Sequence, residues 1–100
     1  MDGQHRDYIA YSGYQNCTGE FISQRVCVKL QERDYYGHYY DRTTYSCSVE
    51  TVEAHASKGR SVLCSAAGQG TFRTAAYGNA YPEEGTRTST TVYSVGEPLC

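Results

Sequence analysis

The chain has 100 residues, a net charge of −2 and nine Lys and Arg that stand singly, which argues against nucleic acid or an anionic membrane as its partner. Its apolar 39% includes eleven tyrosines, five cysteines and eight alanines, so only fourteen Val, Ile, Leu and Phe remain for a core. No apolar run is long enough to span a bilayer. A single domain over 1–100 is marginal on burial alone: roughly 25 cal/mol per Å² of apolar surface must offset about 1–2 kcal/mol of backbone entropy per residue. Crosslinks contribute about 2–4 kcal/mol each, and Cys17, Cys27, Cys47, Cys64 and Cys100 are available to make them. No two of these lie within four residues of one another, so the spacing of a zinc knuckle is absent and no metal or cofactor is expected. Disulfides place the chain in an oxidising compartment, as a secreted or cell-surface protein. The odd count leaves one thiol free, bonded to another chain, or paired beyond this sequence.

Taken in chain order, the signals are those of strands. Met1-Asp2-Gly3-Gln4-His5 is polar and carries no signal peptide, so 1–6 reads as the flexible start of a mature region with its leader removed. Asp7–Tyr11 is a short first strand. Asn16-Cys17-Thr18 matches a glycosylation acceptor, a match without meaning in a bacterial protein. Phe21–Gln31 is the clearest strand: Ile22, Val26, Val28 and Leu30 share one face, with Gln24 the exception, and Ser23, Arg25, Cys27 and Lys29 share the other. Cys27 on the polar face predicts a disulfide lying over the outside of the sheet.

Tyr39–Ala54 predicts a long strand with Thr43, Tyr45, Cys47, Val49 and Thr51 on one side, and strand is favoured over a helix starting near Val49 because Val and Thr lose rotamer freedom in helices. Strands follow over Arg60–Ala66, Thr71–Tyr77 and Thr86–Val95, the last rich in residues that suit a pleated surface. Turn signals separate them at Gly37, Ser57-Lys58-Gly59, Gly68-Gln69-Gly70, Gly78-Asn79 and Pro82-Glu83-Glu84-Gly85. Nothing reads as a helix. Six short strands with glycine turns predict an all-β fold, a small antiparallel sandwich of immunoglobulin-like, Greek-key type.

Catalytic sets are poorly supported, so an enzyme is not expected. His5, His38 and His55 lie far apart in sequence, with no nucleophile-elbow motif to join them to a Ser or Cys. Asp34 and Asp41 flank one turn and could face each other like a glycosidase pair, but a thin sandwich offers little cleft, and exposed acids on a turn are commonly just solvated. Glu83-Glu84 reads as a solvated loop, and Gly68-Gln69-Gly70 lacks the following helix that a phosphate cradle needs.

The tyrosines are the anomaly. Those inside strands, Tyr45, Tyr77 and Tyr93, cover sheet faces in place of scarce aliphatics while their hydroxyls stay wet. Four more, Tyr35, Tyr36, Tyr39 and Tyr40, crowd one turn beside Arg33, Asp34, His38, Asp41 and Arg42. A turn cannot easily bury four rings. Tyrosine on a rigid loop gives large contact area at low entropy cost, so Arg33, Asp34, Tyr35, Tyr36, His38, Tyr39 and Tyr40 form the expected partner-binding surface.

Cys27-Val28-Lys29-Leu30-Gln31, the tyrosine-bearing turn, Cys47 followed by Val49-Glu50-Thr51-Val52, then Leu63-Cys64, Gly68-Gln69, a threonine strand and the final Cys100 resemble the tendamistat family of secreted bacterial α-amylase inhibitors. The resemblance covers about three quarters of the chain and implies a six-stranded sandwich with bonds Cys27–Cys47 and Cys64–Cys100, leaving Cys17 over. It also implies that the turn, held by Cys27–Cys47, enters a partner's cleft. The family's Trp-Arg-Tyr triplet is missing, since the chain has no tryptophan and its turn offers only Arg33 and Tyr35 in a different order. The expected function is therefore a non-enzymatic, inhibitor-like binding protein for an extracellular partner such as a glycosidase. An assembly subunit anchored through Cys17 and a carbohydrate-binding module are the alternatives.

Overall fold

The computed structural model describes residues 4–5, 7–17, 21–82 and 88–100. The expected Glu83-Glu84-Gly85 loop, the start of the last strand at Thr86 and most of the 1–6 terminus lie outside them, as does Thr18 of the acceptor triplet. Two antiparallel sheets stack as a sandwich. The smaller holds β1 (Gln4–His5), β2 (Tyr8–Asn16) and β6 (His55–Leu63) in the order β1-β2-β6. The larger runs β4 (Tyr39–Asp41), β3 (Phe21–Arg33), β7 (Gly70–Pro82), β8 (Thr88–Tyr93), with β5 (Ser46–Cys47) also on β3 and β9 (Glu97–Leu99) also on β7. A single helical turn, α1 (Cys64–Ala67), links β6 to β7.

The alternation in β3 works as its sequence dictates. Val26, Val28 and Leu30 are buried and meet Ile9 and Tyr11 of β2 and Phe72 and Ala76 of β7. Gly13 lies between the sheets at their closest approach, where an added Cβ would stand 2.8 Å from the Ala76 Cβ and 3.0 Å from Val28 Cγ1. Gln24, the exception in the pattern, is fully buried and fully used. Its Oε1 accepts from Gln15 Nε2 at 2.9 Å and from the Cys17 thiol at 3.1 Å, and its Nε2 donates to the Glu53 carbonyl at 2.7 Å. A buried amide with partners on three segments avoids the penalty of an unpaired polar group.

Both disulfides implied by the resemblance are present, Cys27–Cys47 and Cys64–Cys100, spanning 20 and 36 residues. Cys27 stands on the outer face of β3 opposite Tyr77 and is itself buried, while Cys47 on β5 is exposed.

The expected elements shift at several places. The long strand over Tyr39–Ala54 breaks into β4, β5 and one bridge from Thr51 to Gln24, all lying along the same edge of β3. Between them the backbone leaves the sheet, and Val49 and Val52 are exposed. His55 begins β6 rather than ending a strand, because 55–63 pair along the whole of β2. Where β2 runs out, the chain turns: Cys64 N–H bonds the Asp7 carbonyl, and residues 64–67 coil into α1 where strand was expected. Gly68, at φ +76°, closes that turn by donating to the Cys64 carbonyl. Gly78-Asn79, a turn signal in the sequence, instead continues β7, and Gln15 folds over the bare Cα of Gly78. Likewise Ser57-Lys58-Gly59 runs within β6.

Candidate functional site

The tyrosine-rich turn joins β3 to β4, with Arg33 opposite Tyr39 and Glu32 opposite Tyr40. Asp34 organises it. Its Oδ1 accepts from the backbone N–H of Tyr36 and of His38, both at 2.9 Å. Asp34 N–H donates to the His38 carbonyl at 2.7 Å, and Gly37 N–H to the Asp34 carbonyl at 3.1 Å. Gly37 takes φ +87°, the left-handed region that favours glycine. Four hydrogen bonds therefore hold five residues, and Tyr35 and Tyr36 are lifted to 98% and 82% exposure. Their rings meet edge to face at 5.6 Å. His38 and Arg33 stand exposed beside them.

The seven expected contact residues thus divide by role. Arg33, Tyr35, Tyr36 and His38 form the exposed tip. Asp34 braces it from inside. Tyr40 points to the other face of the hairpin, still half-exposed, with Glu32. Tyr39 is committed to the sheet: Arg73 lies over its ring at 3.9 Å, and its hydroxyl packs on the Cα of Gly96, where no side chain could fit.

Arg73 is the residue that sequence reasoning missed. Its guanidinium sits between Tyr39 and, at 4.1 Å, Tyr93, while its Nε donates to Gln31 Oε1 at 2.8 Å. Alongside, Lys29 Nζ lies 4.3 Å over Tyr45, which leans on Tyr77 at 6.0 Å. These rings and cations roof the outer face of the larger sheet above buried Cys27 and Ala75. The pairing of β3 with β7 carried the signal, because it sets Arg73 opposite Gln31, but that register is not visible in a single sequence.

The acids do not converge. Asp41 binds Lys29 at 3.0 Å and accepts from Gln31 Nε2 at 2.9 Å. Those two partners, Gln31 first, hold its carboxyl below the ordinary 3.8. Asp34 is bound within its own turn. His55 bonds Asn16 Oδ1 at 2.7 Å and stacks beside Tyr14. The Cys17 thiol is half-buried and donates to Gln24. Among the described residues, no three His, Cys, Asp or Glu side chains are grouped to hold a metal ion. No protein-family model, curated protein or solved structure matches this chain.

Proposed function

We propose that this is a secreted, non-enzymatic binding protein whose Asp34–His38 turn inserts Tyr35 and Tyr36 into a cleft of an extracellular partner. The observation that carries the reading is the pairing of nearly complete ring exposure with a fully hydrogen-bonded turn. Exposed rings on a floppy loop would lose much of their contact energy to ordering. Rings already held in place lose little, which is how small binders reach useful affinity. The two disulfides fit an oxidising environment, and the resemblance to tendamistat-type inhibitors makes a glycosidase with a deep sugar cleft the first partner to test. Arg33 and His38 supply polar contacts at the rim of the patch.

The test is inhibition of a panel of secreted α-amylases and other glycosidases by the wild type and by the Tyr35→Ser/Tyr36→Ser double variant. Hot-spot rings are worth about 2 kcal/mol or more each, so the double variant should bind at least 100-fold more weakly with its melting temperature unchanged. Equal affinity of the two proteins, or no inhibition across the panel, would remove this reading. Binding to starch or chitin oligomers instead would move the chain to the carbohydrate-binding class.

A further inference from the structure

The larger sheet ends on one side at β8, and that edge is unlike the others. β6, the open edge of the smaller sheet, carries Lys58, Gly59 and Arg60 in its middle. The β4 and β5 pieces on the opposite side of the larger sheet are three and two residues long, and β9 contains Pro98. Charges, prolines and brevity are how natural sheets keep their edges from pairing with other chains. β8 reads Thr88-Ser89-Thr90-Thr91-Val92-Tyr93: six residues, no charge, no glycine and no proline. Among the described residues it pairs with β7 alone.

Both of its faces are open too. Ser89, Thr90, Thr91, Val92 and Tyr93 are all exposed, Val92 at 54% although it shares the core-facing side with Ala76. The smaller sheet reaches over β3 and β7 but leaves a cleft under β8 that opens onto Val26, Ala76 and Gly78. An apolar residue on the inner face of a sheet, without a covering layer, is the mark of an interface.

We propose that β8 is the dimerisation edge of this protein, pairing antiparallel with β8 of a second copy across a two-fold axis. The occupant is a second copy because an antiparallel edge complements itself, offering the same rows of donors and acceptors in reversed order. A two-fold normal to the sheet keeps inner faces with inner faces, so it must pass through a residue. Centred on Thr91, it pairs Thr90 with Val92 inside and Ser89 with Tyr93 outside, and both apolar side chains gain a cross-strand neighbour. No charge is brought against its own image. The result is one continuous sheet through both copies. The tyrosine turns, which leave from the β4 side, remain free at its two ends.

Sedimentation equilibrium from about 10 μM to about 1 mM should show the 11.1 kDa chain doubling in mass as concentration rises. Thr91→Lys and Thr91→Glu each place like charges opposite one another on the axis and should stay monomeric, whereas their equimolar mixture should regain the dimer. In the wild type, amide exchange at Thr88–Tyr93 should slow at least tenfold between the ends of that range, a readout that needs no variant. A single-chain mass throughout, a dimer indifferent to both substitutions, or concentration-independent exchange in β8 would each overturn the proposal.

Discussion

Tyrosines from the same short stretch of chain meet opposite fates in this molecule. At the tip of the β3–β4 hairpin, Tyr35 and Tyr36 touch little but each other, and every polar group that fixes them belongs to the backbone or to Asp34. Three residues on, Tyr39 is clamped by Arg73 against the sheet, as Tyr93 is from the other side. Ring content alone does not separate a binding residue from a packing one. What separates them is whether a cation on a neighbouring strand occupies the ring face, and the strand register decides that.

The sharpest way to break the contrast is to remove what underlies both regions. Chain-entropy arguments assign about 3–4 kcal/mol to each of loops this long, so reducing Cys27–Cys47 and Cys64–Cys100 together should unfold the protein at room temperature. An unfolding curve untouched by dithiothreitol would refute the dependence on crosslinks.

Next in size is Arg73→Ala, which strips a cation from two rings and a donor from Gln31. Cation–π pairs contribute about 0.5–2 kcal/mol depending on burial, so stability should drop by about 1–2 kcal/mol in urea titrations. Tyr35→Ser should stay within about 0.5 kcal/mol of wild type. If the two variants lost stability equally, the division between packing and presenting tyrosines would fail.

The smallest effect is electrostatic and belongs to the sheet side, since Gln31 joins Asp41 to Arg73. Asp41 titrates below its ordinary 3.8 when folded. Its stabilisation is therefore complete above that unfolded value and is lost as pH falls through the lower folded one. Asp41 is half-exposed and solvent screens it, so the contribution is minor. Asp41→Asn should slightly flatten the fall in melting temperature below about pH 4, with no change at neutral pH.

Much of the fold was legible. The period-2 run in β3, the glycine at the tyrosine turn and the cysteine density led to an all-β, stapled sandwich. Gln24 showed as an anomaly in the pattern, though its three partners come from 15–17 and 53 and only the fold assembles them. The breaks in 39–54 were hidden because Thr, Tyr and Val favour strand locally whether or not a partner strand lies beside them. Gly78-Asn79 misled for the converse reason. A glycine can be a turn or a place for another chain to press close, and Gln15, 63 residues away, settles which. For the candidate site, Tyr35 and Tyr36 were readable from local chemistry alone, whereas the loss of Tyr39 to Arg73 depended on β3–β7 register.

The amide of Gln15 donates both to Gln24 Oε1 and, at 3.0 Å, to the Asn79 carbonyl, so one side chain of the smaller sheet is tied to two adjacent strands of the larger. Sliding β2 by a single position would turn that side chain outward together with Ile9 and Tyr11, stranding two acceptors in a dry interior. Grease alone would tolerate several stackings of two such plain sheets. This polar latch selects one, and it does so at the end of the sandwich where aliphatic side chains are fewest.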